Sequence, residues 1–248
     1  MIVVKSDGEV AAMREACRIT ARVLEETGRH VVPGVTTKDL EIIAAKKIKQ
    51  LGAKSVCLGY NGYPGVICTS VNSVIVHGIP SNKQVLKEGD IVSLDVCVIY
   101  KGFCGDASKT YSVGAISAEA KRLLEVTESS VASAIDKCRA GCRVGDISCA
   151  IQTVAESAGY SVSRDFTGHG IGRTLHQDPV IPNYGRAGTG LRIPENACLA
   201  IEAMVHQGTW QIKILPDGWA AVPLDGKLSA HYEHTVLVKK DGCEILTV

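Results

Sequence analysis

A chain of 248 residues, 46% hydrophobic and 21% charged with a formal net charge of +1, has the make-up of a globular protein of one domain or at most two. That composition excludes disorder, and the near-neutral balance excludes a long-range pull toward nucleic acid or an anionic membrane. No window approaches the ~18 uncharged apolar residues of a membrane span, and the opening run MIVVKSDGEVAAMREA, with acids and no apolar stretch, lacks the form of a secretory signal.

In chain order, Val10, Met13, Cys17, Ile19, Val23 and Leu24 recur at helical spacing and predict a helix over 8–31, broken by Pro33-Gly34. Thr36-Thr37 then caps a second helix, with Leu40, Ile43, Ala44 and Ile48 on one face and an end near Gly52. The lysines in 46–49 form its solvated side. ICTSVNSVIVHG (67–78) is β-branched, and IVSLDVCVIY (91–100) is nearly continuous apolar, as in a strand buried on both faces. Residues 120–163 repeat the helical plan, with Gly34 falling on Gly141, Asp39 on Asp146, Leu40 on Ile147 and Gly52 on Gly159. Two copies are too few for a solenoid, and two α+β halves around a shared sheet fit better. ACLAIEAMV (197–205), YEHTVLVKK (232–240) and the closing GCEILTV are strand-like, and Lys101-Gly102, Asp217-Gly218 and Asp241-Gly242 suit hairpin turns. The loop-rich 206–231 stretch holds both tryptophans.

The ten cysteines are scattered and include no CxxC pair. Several lie in apolar runs, where cysteine acts as a small hydrophobe. A reducing compartment, the cytoplasm, is expected.

Acids stand where core residues should be. Asp95 interrupts IVSLDVCV, Glu202 interrupts LAIEAMV, Glu233 precedes HTVLV, and Asp106 follows a glycine in KGFCGDASKTYSVG. A buried ionised carboxylate costs several kcal/mol unless something compensates it, and no pattern of Lys or Arg offers partners within these runs. A bound cation would. His169 in GHGIGR (168–173) is the companion ligand candidate, because flanking glycines allow close approach to the imidazole. A phosphate-loop reading of that segment lacks both the GxGxxG spacing and a following Lys-Ser/Thr. Four carboxylates and an imidazole suit divalent manganese, iron, cobalt or zinc, and −4 from the acids balances two such ions. Paired ions of this kind serve hydrolysis. His77, at the end of SVIVHG, and His176, in RTLHQDP, remain for proton work or substrate contact.

SVNSVIVHGIPS, GDIVSLDVCVIYKGFCGDASKTY, GHGIGRTLHQDP, IEAMV and YEHTVLV, in this order, resemble bacterial type I methionine aminopeptidase of peptidase family M24, from about residue 3 to 247. The resemblance implies the α+β pita-bread (creatinase/aminopeptidase) fold. This has two pseudo-symmetric α/β halves, here roughly 8–114 and 120–240, around a central antiparallel curved sheet in a single catalytic domain, 1–248. It implies removal of the initiator methionine from nascent polypeptides when the second residue is small, by a water activated at two metal ions. Asp95, Asp106, His169, Glu202 and Glu233 would be the ligands. Glu202 would also move a proton, His77 would sit by the scissile amide, and His176 would hydrogen-bond the substrate carbonyl. Cys57, Tyr60, Tyr63, Cys68, Leu175, Met204 and Trp219 would line the methionine pocket, where sulfur and aromatic groups suit a thioether. A monovalent cation near Asn72, Val74 and Ser229 is a further implication.

The implied partners are nascent N-termini and, as a further candidate, the ribosome, with no specific nucleic acid, no membrane and a monomeric state. Three positions depart from the family pattern: Ala203 stands for the usual proline, Leu175 for the usual aromatic and Gln177 for the usual acid. None is a ligand. Prolidases and proline-directed aminopeptidases share the five ligands but carry a histidine where this chain has Arg173. Non-catalytic relatives typically lose ligands, and this chain keeps all five.

Overall fold

The first helix begins where Ser6 can cap it. Ser6 Oγ accepts from the Glu9 backbone N–H at 3.4 Å, and Glu9 Oε2 accepts from the Ser6 N–H at 3.0 Å. This exchange satisfies two otherwise orphan donors. Helix α1 (Asp7–Gly28) follows and buries Met13, Cys17 and Val23 on one side. Thr36 and Asp39 make the same exchange, at 3.1 and 2.9 Å, ahead of α2 (Thr37–Gln50).

The computed structural model describes all 248 residues. Its other elements are β1 (Lys54–Ser55), β2 (Cys68–Val71), β3 (Ile91–Tyr100), β4 (Phe103–Ser112), α3 (Ala118–Lys137), α4 (Val144–Ser157), β5 (Ser161–Val162), β6 (Thr167–Gly170), β7 (Gln177–Pro182), β8 (Cys198–His206), β9 (Ile212–Ile214), β10 (Ala221–Pro223), β11 (Ser229–Val238) and β12 (Cys243–Ile245). No helix is long and apolar enough to cross a membrane.

The main sheet runs β1-β3-β4-β11-β8-β6-β7, with β2 on β3, β5 on β8 and β12 on β11, and every pairing is antiparallel. Helix α1 lies on β3 and β4 with α2 beside it; α3 lies on β8 and β11 with α4 beside it. The β3–β4 hairpin turns on Lys101 (φ 48°) and Gly102 (φ 81°), the two positive-φ positions of a type I′ turn.

Two sequence expectations needed adjustment. The first helix stops at Gly28 rather than 31, where a Cβ would lie 2.3 Å from the Tyr111 ring; His30 and Val31 continue it only as hydrogen-bonded turns. The strand expected over 67–78 ends at Val71, because Asn72 takes φ 54° and its side chain accepts from the Ile91 N–H (3.0 Å) and donates to Asp90 (2.8 Å).

Alternation along the strands decides what faces the helices. In β8, Leu199, Ile201, Ala203 and Val205 pack into the core under α3 and α4. In β3, Val92, Leu94, Val96 and Val98 pack with residues of α1 and α2. Strand side chains have period two, so Asp95, Cys97, Glu202 and Met204 point to the opposite face. Ala203 is therefore a helix-facing core residue, and the departure from proline there does not face Glu202's cavity.

Candidate metal centre

Strand register gathers the acids. Cys97 faces Asp106 across β3–β4, and Asp95 faces Ser108. Ser108 in turn faces Glu233 across β4–β11, and Glu233 faces Glu202 across β11–β8. Thr235 ties β11 to β4 at this level: its Oγ1 donates to Asp106 O (2.7 Å) and accepts from the Asp106 N–H (3.2 Å).

His169 arrives from β6. A Cβ on Gly168 would lie 2.6 Å from Ala200 O, and one on Gly170 would lie 2.0 Å from Asp178 O, so only glycine lets β6 come this close. His169 Nδ1 is 3.0 Å from Gly170 O, which can only accept, so Nδ1 carries the proton. That leaves Nε2 to face the acids, 3.6 Å from Asp106 Oδ2 and 3.7 Å from Glu202 Oε1. Nε2 is thus presented as a ligand atom, with Nδ1 held by an outer partner.

Asp106, Glu202 and Glu233 are buried and Asp95 is half-buried. Burial, followed by the charge of Asp106, pushes the Asp95 and Glu233 carboxyls well above the usual carboxylate range. Burial opposes charge on His169, but the Asp106 contact and the charge of Glu202 raise it above its ordinary value. Glu233 Oε1 has no hydrogen-bond partner at all. An orphaned buried carboxylate oxygen beside three more acids is what a cation would relieve. Oxygen-rich donors with one imidazole fit divalent first-row ions. Two trios have donor atoms within 4.8 Å of one another: Asp95, Cys97 and Asp106, and Asp106, His169 and Glu233. They share Asp106.

These acids lie in a cavity of about 620 Å³ whose lining includes every ligand, catalytic and pocket residue expected from the sequence. His77 is held at φ 60°, edge-on to Phe166 (5.3 Å) and Trp219 (6.1 Å). Tyr63 meets Trp219 edge-on at 5.1 Å and donates to Gly78 O at 2.8 Å. His176 lies edge-on to His169 at 4.4 Å, and its Nδ1 is 2.5 Å from Tyr60 OH. Burial lowers both His77 and His176 below the usual histidine value, which keeps them neutral at neutral pH. Gln177 turns its Oε1 to Lys5 Nζ (3.1 Å), and Arg173 reaches Glu9 (3.1 Å) on α1 rather than the cavity. Away from the cavity, Asn72 O accepts from the Ser229 N–H at 3.0 Å, with Val74 two residues on.

Cavity residues outside the sequence reading include three that touch the expected site residues. His231 Nε2 lies 3.2 Å from Glu202 Oε2 without the alignment of a hydrogen bond. Cys97 Sγ donates to Asp106 Oδ1 at 3.0 Å. Phe166 backs His77. His231 and Cys97 each stand two residues from an expected ligand, on the same strand face, and that spacing was the available signal.

Residues 11–240 match the model of metallopeptidase family M24. Methionine aminopeptidase A of Synechocystis is 47% identical over 247 residues, covering 100% of this chain and 98% of its own. Methionine aminopeptidase of Escherichia coli is 41% identical, with 100% and 94% covered. The crystal structure of methionine aminopeptidase from Thermotoga maritima superposes with a TM-score of 0.98 at 45% identity, covering 100% of this chain and 99% of that one. Prolidase from Pyrococcus furiosus, at 18% identity and a TM-score of 0.81, shares the fold. The architecture is the pita-bread fold, and the chain belongs to metallopeptidase family M24, among its methionine aminopeptidases.

Proposed function

We propose that this chain is a metal-dependent aminopeptidase that removes the N-terminal methionine of nascent polypeptides when the second residue is small. The observation that carries the reading is the convergence of Asp95, Asp106, His169, Glu202 and Glu233, from five strands, in a cavity walled by sulfur and aromatic side chains. Two divalent ions held by these five residues would supply Lewis acidity and an activated water. Cobalt, manganese, iron and zinc all suit the donors.

The remaining chemistry belongs to the chain. Glu202 takes a proton from the attacking water and returns it to the departing amine. His77, neutral through burial, sits by the scissile amide. With the Tyr60 hydroxyl donating to Nδ1, His176 would hold its proton on Nε2 and donate it to the carbonyl oxygen as charge develops there. Cys57, Tyr60, Tyr63, Cys68, Leu175, Met204 and Trp219 enclose the methionine side chain and keep water from it. The backbone around Asn72, Val74 and Ser229 would take a monovalent cation. The protein would act as a cytoplasmic monomer on chains leaving the ribosome, as one catalytic domain with halves 8–114 and 120–240.

The test is hydrolysis of Met-Ala-Ser and Met-Lys-Ser with each metal in turn. Release of methionine from the first alone is expected. Cleavage of neither with any metal sinks the proposal, and equal cleavage of both sinks its specificity.

A further inference from the structure

Cys97 sits at the edge of a buried apolar cluster that includes Cys57, Tyr63 and Cys68, yet its sulfur faces the most acidic part of the cavity. It lies two residues from Asp95, on the same face of β3, and directly across from Asp106 on β4. The side chain is buried, at 5% exposure. Its Sγ is 3.0 Å from Asp106 Oδ1 and 3.5 Å from Asp95 Oδ1, and donor atoms of all three residues fit within 4.8 Å of one another. A thiol is a weak hydrogen-bond donor, whereas a thiolate is a strong ligand for borderline and soft divalent ions.

We propose that Cys97 is a sulfur ligand of the metal centre, binding one ion jointly with Asp95 and Asp106. The Cys97 S–H bond breaks as the metal–sulfur bond forms, and the proton leaves to solvent. The second trio, Asp106, His169 and Glu233, contains no sulfur. The two positions therefore differ in softness although they share Asp106: the Cys97 side prefers zinc or cobalt, and the His169 side accepts manganese or iron more readily. The inference rests on the reading of these acids as a metal centre, and not on which peptide is cleaved.

The test is the electronic spectrum of the whole protein titrated anaerobically with Co(II). Wild type should develop the intense near-ultraviolet thiolate-to-cobalt charge-transfer band as the first equivalent binds. Cys97→Ser should lose the band, while Cys57→Ser and Cys68→Ser keep it. In competition titrations, Cys97→Ser should lower the preference for zinc over manganese by at least roughly tenfold, the smallest change commonly seen when even an outer partner of a metal ligand is removed. Absence of the band from wild type overturns the proposal whatever the variants do, as does its survival in Cys97→Ser. A band-free protein that still cleaves Met-Ala-Ser loses the sulfur ligand only. A band in a protein that cleaves no methionyl peptide keeps the sulfur ligand and loses the peptidase reading.

Discussion

Glu202 and Glu233 stand directly opposite each other across the antiparallel pair β8–β11. Like charges in that relationship destabilise a sheet, and here both are buried, with Asp106 on the adjoining strand β4 and Asp95 on β3 beyond it. His169 alone cannot neutralise four acids. Local sheet stability is thereby tied to whatever else neutralises this face, and that dependence can be measured.

Metal removal should destabilise the protein in a pH-dependent way. Asp95 and Glu233 are held well above their ordinary values of 3.8 and 4.5. Each therefore binds more protons folded than unfolded. The stability they contribute is complete below about pH 4 and is lost as pH climbs through the raised values. Chelated protein should melt at progressively lower temperature as pH rises above the ordinary carboxylate range toward the raised values of these two carboxyls. A ligand binding only the folded state at 100 times its Kd adds about 2.7 kcal/mol, and metal needs the ionised form, so the gain in Tm on adding Mn(II) should widen over the same interval. Thermal melts with and without chelator check both. A gap that narrows with rising pH would mean the acids are already compensated by the protein.

Glu202→Gln should keep the fold and lose turnover. The amide is close in size and leaves β8 undisturbed, but it cannot take a proton from water. Positioned general bases contribute roughly 10²–10⁴-fold, and a loss of that size in kcat is expected. Circular dichroism, metal stoichiometry and kcat on Met-Ala-Ser, measured on one preparation, separate this from misfolding. Undiminished turnover would remove the proton-transfer role.

What was legible in the sequence, and what was not, follows one physical line. Asp95 and Glu202 could be read because an ionised side chain inside an apolar strand is expensive, whatever the pairing. His169 could be read because its glycines mark a close approach. His231 carries no such local signal, since an uncharged imidazole in a strand costs little, although period-two geometry puts residue 231 on the same face as Glu233. A cysteine in an apolar run reads as a packing residue, and only the register of Cys97 against Asp106 brings its sulfur to that carboxylate. The register of β4 on β11 joins positions more than a hundred residues apart and has no local signature. Asn72 ended a strand that β-propensity extended to 78, because its side-chain bonds to Asp90 and Ile91 outweigh propensity at that position.

His231 should prove to be a positioning residue for Glu202. Its Nε2 is 3.2 Å from Glu202 Oε2, and its backbone N–H is pinned by Thr110 Oγ1 at 3.0 Å. His231→Ala should leave strand β11 paired and lower kcat about tenfold or more, the scale on which outer partners of ligands act. The split between kcat and KM is the discriminating readout: kcat on Met-Ala-Ser should fall with KM little changed. An unchanged kcat would reduce His231 to a filler of the cavity wall.

Trp219→Ala should weaken methionine binding more than chemistry. The indole meets Tyr63 at 5.1 Å and His77 at 6.1 Å, and edge-on aromatic pairs contribute about 0.5–1.5 kcal/mol beyond burial. Loss of that wall should raise KM for Met-Ala-Ser about tenfold, with a smaller drop in kcat; a larger fall in kcat than rise in KM would place Trp219 in the reacting geometry instead.

His77 combines a strained backbone with a reactive ring, and the two can be separated. Its φ of 60° costs a residue other than glycine about 1–2 kcal/mol, less for asparagine, which enters this region readily. The following glycine fixes the turn, since a Cβ on Gly78 would lie 2.3 Å from Thr69 O. His77→Asn should therefore keep the backbone path and the metal affinity, losing in stability only about 0.5–1.5 kcal/mol from the ring's contact with Phe166. Without an imidazole beside the scissile amide, kcat should fall by about a hundredfold. His77→Ala should lose the same activity and more stability, because alanine pays the full cost of the left-handed backbone. Calorimetry and kcat on the two variants decide the matter: asparagine as stable as expected but fully active would remove His77 from the reaction and leave it a wall of the pocket.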